Sequence, residues 1–201
     1  MLAYLSWHRP AAGVRQADYE RALERFHRSL AHQPPSGFRG SVALRLGELP
    51  WLAPSTARDG DTSAAAGYED WYLLDDWSAV GVLEEAAVGR GHATAHDGVA
   101  ARAGASTGSV YRLLAGSSKP GETGLAVWVG HEPGRDRPSL ASLLGDGIDP
   151  RHDALWRRCL GLGPAPEYCL LAAAPPPGVA DTRLPTGWAA HSIAREVLWD
   201  G

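Results

Sequence analysis

Apolar positions in the first half of the chain switch between two periods, and each switch marks an element. Leu2 to His8 is a short apolar run stopped by Pro10 and Gly13, which predicts a strand. From Ala17 to Ala31, Tyr19, Leu23, Phe26 and Leu30 recur at helical spacing with Arg and Glu on the other face. Gln33-Pro34-Pro35-Ser36-Gly37 ends that helix, and Phe38 to Leu46 returns as a strand. Residues 47–67, rich in Pro, Ala, Ser, Thr and Asp, read as a long loop, either a flap or a disordered stretch. Tyr68 to Leu74 predicts a third strand, after which Asp75 or Asp76 caps a helix through Val80, Leu83 and Ala87. Gly89-Arg90-Gly91 interrupts that helix, the pattern resumes from His92 to Ala103, and Gly108 to Leu114 is a fourth strand.

The second half begins as a copy of the first. Leu2-Ala3-Tyr4-Leu5-Ser6-Trp7-His8-Arg9-Pro10 aligns without a gap on Leu125-Ala126-Val127-Trp128-Val129-Gly130-His131-Glu132-Pro133, with Leu, Ala, His and Pro coinciding. Ala22-Leu23-Glu24-Arg25 with Leu30 then aligns on Ala154-Leu155-Trp156-Arg157 with Leu162, which predicts a second amphipathic helix there. Strands follow at Glu167 to Ala173 and Trp188 to Trp199. The order is β-α-β-β-α-β, the split βαβ arrangement of ferredoxin-like folds, followed by a shorter β-α-β-β. The expected organisation is an α+β chain with a ferredoxin-like unit at 1–116, a linker at 117–123 and a partial second unit at 124–201 packed on the first. A second unit short of its last helix and strand leaves an apolar sheet face uncovered, so a homodimer is expected.

Charge and composition exclude several partners. The net charge is −4 and the basic residues are scattered, so there is no electrostatic footprint for nucleic acid. Lys119, the single lysine, lies in a Gly- and Pro-flanked linker and is unsuited to a buried Schiff base. No apolar stretch approaches the ~20 residues that cross a bilayer, and the N-terminus lacks the basic start of a signal peptide. No membrane partner and a cytoplasmic location are therefore expected. Cys159 and Cys169 have neither metal-binding nor disulfide spacing and read as two small core residues.

The string Tyr68-Glu69-Asp70-Trp71-Tyr72-Leu73-Leu74-Asp75-Asp76-Trp77, followed by Ala79, Leu83 and His96, resembles the dimeric α+β barrel superfamily. There a strand ends in an acidic helix cap and leads into an aromatic- and alanine-rich helix that often carries a His. Members include cofactor-independent monooxygenases, EthD-like and stress-responsive proteins, and haem-binding relatives of chlorite dismutase. The resemblance implies two ferredoxin-like sheets that face each other and enclose a pocket, between subunits or within a duplicated chain.

Candidate chemistry centres on histidines and aromatics. His8 and His131 each end the first strand of their repeat just before x-Pro, at equivalent rims, where an imidazole can act as acid, base or ligand donor. His96 is a third acid/base candidate. Trp7, Trp71, Trp128 and Tyr111 are candidate walls of a pocket for a flat organic ligand, although an indole is more often core. His92 and His96, four residues apart, would share a helix face and are a weaker metal or haem alternative without a third ligand. Gly104-Ala105-Ser106-Thr107-Gly108 matches G-x-S-x-G, but it follows a helix and precedes a strand, the reverse of a nucleophile elbow. Neither a dinucleotide fingerprint nor a phosphate loop occurs, so no cofactor is expected. Two functions stay open: a cofactor-independent enzyme (oxygenase, isomerase or decarboxylase) acting on a small hydrophobic or aromatic molecule, and a non-catalytic ligand-binding or assembly module.

Overall fold

The computed structural model describes residues 1–52, 67–89, 91–117, 119–131, 149, 151–174 and 187–201. Eight strands and three α-helices are present among them: β1 (Leu2–Pro10), α1 (Gln16–His32), β2 (Phe38–Leu46), β3 (Gly67–Leu74), α2 (Trp77–Gly89), α3 (Ala93–Ala100), β4 (Ala103–Gly116), β5 (Leu125–His131), β6 (Ala154–Gly161), β7 (Tyr168–Leu171) and β8 (Trp188–Asp200). The strands close into one antiparallel barrel in the order β1-β3-β2-β8-β5-β7-β6-β4. Each half contributes four neighbours, β4-β1-β3-β2 and β8-β5-β7-β6. Among the described strands, closure leaves no edge unpaired.

The period-2 pattern decides which side chains fill the barrel. Ala3, Leu5 and Trp7 of β1 point inward, as do Trp71 of β3, Tyr111 of β4, Trp128 of β5 and Trp156 of β6, all fully buried in one core. The indoles pack edge to face, with Trp7 and Trp128 ring centroids 5.2 Å apart and Trp71 and Trp156 5.3 Å apart. Among the described residues the interior is therefore a packed core rather than the pocket expected between two facing sheets.

One charge pair sits inside this apolar filling. Glu69 Oε1 and Arg195 Nη1 are 3.2 Å apart and both side chains are fully buried. Glu69 also accepts hydrogen bonds from the Trp7 and Trp71 indoles at 2.8 and 2.6 Å. Arg195 Nη2 donates to the Pro120 and Thr123 carbonyls at 2.7 and 2.9 Å, in the connection between the halves.

The helices cover the outer face of the first four strands. The stripe of α1, with Tyr19, Leu23, Phe26 and Leu30, is buried against that sheet, as the spacing predicts. Asp76 starts α2 by accepting from the backbone N–H groups of Ser78 and Ala79 at 2.9 and 3.1 Å. Between α1 and β2, Gly37 takes φ +78°, and a Cβ there would lie 2.6 Å from the Ala79 side chain. Only glycine fits both conditions.

Four expectations need correction. Residues 154–161 are strand β6, not a helix: Ala154 and Trp156 face the core while Leu155 packs outside, and the segment pairs with β4 and β7. A short apolar run fits either period, and the gap between β4 and β7 selected the strand. Among the described residues the second half thus has four strands where β-α-β-β was expected, and their inward side chains share one core with those of the first half. The helix predicted to Ala103 stops at Ala100, because Ala103 to Ser106 pair with Pro10 and His8 of β1. The G-x-S-x-G segment accordingly lies within β4. Cys169 is core as expected, but Cys159 is exposed. Most of the loop expected at 47–67 lies outside the described residues; of its start, Leu49 and Leu52 are buried in the barrel core.

Candidate functional site

The outer faces of β1, β3 and β4 and the three helices enclose a cavity of about 610 Å³. The alternation that sends Leu5 and Trp7 inward turns Tyr4, Ser6 and His8 toward this cavity. The same parity brings Asp70 and Tyr72 from β3. The helices supply Tyr19, Phe26, Leu83 and Val99, which make the opposite wall largely apolar. A volume of this size suits a molecule of several fused rings.

Polar groups converge at one place on the sheet side. Asp70 Oδ2 lies 3.0 Å from His8 Nε2 and accepts from the Tyr72 hydroxyl at 3.1 Å. Asp70 Oδ1 faces His27 Nε2 at 3.3 Å, too poorly aligned for a hydrogen bond. His8 Nδ1 lies 2.7 Å from the Tyr19 hydroxyl, and His27 Nδ1 lies 2.8 Å from Ser41 Oγ. A carboxylate can only accept, so His8 Nε2 carries the proton of the Asp70 bond. In the neutral ring Nδ1 is then the acceptor and the Tyr19 O–H donates to it. His8 is also stacked on Tyr68, with ring centroids 5.8 Å apart, which fixes its plane.

Electrostatics fit that assignment. Burial by itself would raise the Asp70 carboxyl, but the charges of His8 and His27 and the His8 hydrogen bond outweigh it and hold the group below the usual carboxylate range. Burial, reinforced by Asp70, pushes the Tyr19 and Tyr72 hydroxyls up, so both stay protonated and able to donate. The site is a buried carboxylate that orients a histidine whose other nitrogen meets a tyrosine hydroxyl at a cavity wall. Such an arrangement can accept a proton from a bound molecule and hold the resulting imidazolium.

The structure brings some of the sequence candidates together and separates others. His8 lies at the centre of the polar cluster. His96 also borders the cavity, half-buried, with its ring against Phe26. His131 ends β5 on the other side of the barrel order, and its side chain lies outside the described residues. His92 precedes α3, where its ring nitrogens meet Ser29 Oγ and the Gln33 carbonyl, both at 3.1 Å, so it is not presented with His96 as a ligand pair. Among the described residues no group of three His, Cys, Asp or Glu side chains is placed to hold a metal. Trp7, Trp71, Trp128 and Tyr111 fill the barrel and do not line the cavity.

Sequence reasoning missed Asp70, Tyr19, His27 and Tyr72. A signal for Asp70 was present: two adjacent acids, Glu69 and Asp70, interrupt an otherwise apolar and aromatic strand, and a buried carboxylate needs a partner on each face. Glu69 found Arg195 inside the barrel, and Asp70 found two histidines outside it.

No protein-family model and no curated protein sequence matches the chain. The solved structures that share its fold include two of similar length. One, from Fusobacterium nucleatum subsp. nucleatum and named by inference as a monooxygenase, superposes with a TM-score of 0.60 at 9% identity, covering 99% of this chain and 93% of that one. The other, an anthrone oxidase-like protein, gives a TM-score of 0.55 at 11% identity, covering 100% of this chain and 92% of that one. At such identities the likeness is one of fold. Among the described residues, no helix is long and apolar enough to cross a membrane.

Proposed function

We propose that the chain is a small-molecule enzyme of dimeric α+β barrel type that removes a proton from an electron-rich aromatic substrate. The observation that carries this reading is the Tyr19–His8–Asp70 hydrogen-bonded series opening onto an aromatic-walled cavity. A ligand hydroxyl or acidic C–H reaches His8 Nδ1 through Tyr19 or by taking its place, and Asp70 stabilises the imidazolium formed. With dioxygen as oxidant, an anthrone-type CH2 group would lose its protons and become a carbonyl. One oxygen atom would enter the product and the other would leave as water. The matching strand orders of the two halves, β4-β1-β3-β2 and β8-β5-β7-β6, support reading them as two ferredoxin-like units. The fold neighbours raise the weight of an oxygenase reading by analogy alone.

The test is oxygen consumption with anthrones and related phenols, using purified protein without added metal, nucleotide or flavin. Turnover by the wild type and a loss of ~10²-fold or more in His8→Gln is the expected outcome. Turnover that survives unchanged in that variant would remove His8 from the chemistry. Saturable binding with no turnover of any tested class would convert the site into a carrier pocket.

A further inference from the structure

His27 is fully buried and does not line the cavity, yet it places an imidazole on the sheet-facing side of α1, where Leu23, Phe26 and Leu30 already supply packing. An apolar side chain would be cheaper to bury there unless the ring has polar work. Its surroundings specify that work. Nδ1 is 2.8 Å from Ser41 Oγ on β2, and Nε2 is 3.3 Å from Asp70 Oδ1 on β3. The ring lies flat on Tyr72, with centroids 5.2 Å apart at 3°. Across Asp70, His8 of β1 holds the other carboxylate oxygen and ends on the Tyr19 hydroxyl. The series is nearly palindromic: hydroxyl, imidazole, carboxylate, imidazole, hydroxyl. Of the other charged or titratable groups on the surrounding elements, Glu84 of α2 and His96 of α3 line the same cavity, Glu20 of α1 is held by Arg45 and the Tyr68 hydroxyl, and Arg9 of β1 donates to the Leu49 carbonyl. Glu69 pairs with Arg195 inside the barrel, and the Arg28 guanidinium lies over the Trp199 ring.

We infer that His27 is a positioning residue that sets the proton affinity of His8, because one buried carboxylate can fully neutralise only one of its two imidazolium neighbours. This rests on the reading of His8 as the site's acid/base. The two rings therefore compete for a single compensating carboxylate. A proton arriving at His8 from a substrate meets a charge balance that His27 has already adjusted.

Histidine-selective 15N NMR on the full chain, followed through a pH series without substrate, tests this independently of any turnover. In the wild type both rings should report the same two steps. In His27→Gln, His8 should give a single step with proton affinity raised at least threefold. His27→Phe, which keeps an aromatic ring against Tyr72, should move His8 in the same direction. Ser41→Ala alters only the far nitrogen of His27 and should shift both rings. If the His27 variants fail to fold, the wild-type titration decides alone. A His27 ring whose shifts stay flat while His8 follows a simple one-site curve overturns the inference, as does an unmoved His8 midpoint in either His27 variant. A titration that holds while all substrates fail would sink the enzymatic reading and leave the pair intact.

Discussion

Asp70 is buried between two hydrogen-bond donors, His8 and Tyr72, and the His27 ring, and its carboxyl is held below the ordinary range against the opposing effect of burial. A group depressed in the folded state contributes stability above its unfolded value of ~3.9 and loses that contribution as pH falls through the folded value. Wild-type stability should therefore decline in acid below about pH 4 through this residue. Asp70→Asn should be about 2–4 kcal/mol less stable at neutral pH, since it strips a charge from a buried network. The gap should narrow on acidification. Urea unfolding of both proteins across a pH series measures it, and parallel curves would show that Asp70 does not titrate as described. Tyr19 and Tyr72 belong to the same network, but their hydroxyls are held protonated, so neither should add a slope near neutrality.

At the scale of elements, β6 is the informative case, because its residues fit a helix by spacing and a strand by partner. Cys159 of β6 is exposed, whereas Cys169 of β7 is buried and its thiol is pushed up by burial, with Glu69 adding to the effect. Thiolate, not thiol, is the reacting species. A disulfide exchange reagent should modify one thiol rapidly in the native protein and the second only on unfolding. Two fast thiols would mean that the β5-β7-β6 sheet is not closed over Cys169. The three helices on the other half serve a different end. They complete the cavity wall opposite the Tyr4, His8 and Tyr72 face, so the site depends on the layering of helices on sheet rather than on the barrel interior.

For the whole molecule, closure is reinforced where the halves meet around Arg195. Its guanidinium links Glu69 of β3 to the carbonyls of Pro120 and Thr123, and without it Glu69 would keep its two indole hydrogen bonds but lose its opposite charge. Arg195→Met should cost about 3–5 kcal/mol, most of it the penalty of leaving Glu69 buried and uncompensated. Adding Glu69→Gln should restore much of that loss, in a double-mutant cycle read by thermal or urea unfolding. Equal, additive losses would mean that the two side chains do not interact. Because β4-β1-β3-β2 and β8-β5-β7-β6 each expose an inner apolar face, neither half buries its own tryptophans without the other. Unfolding of the barrel should accordingly be one transition.

Local pattern determined β1, α1, β2, β3 and β8 to within a few residues, because each carries a sustained period and a Pro, Gly or Asp boundary that needs no distant partner. It also brought forward His8, through its place at a strand end before a proline turn. The fate of residues 154–161 was not legible, since eight residues of mixed spacing satisfy both periods until β4 and β7 offer their backbone groups. Nor was the site. Asp70, Tyr19, His27 and Ser41 come from three elements separated by long stretches of chain, and only the packing of α1 on β1, β2 and β3 brings them within hydrogen-bonding or ion-pair reach. The aromatic pattern announced a ring-lined space, but strand parity alone could not say which face would be filled. Barrel closure placed the indoles inside as core and left the ligand-sized space outside, where side chains of opposite parity meet the helices.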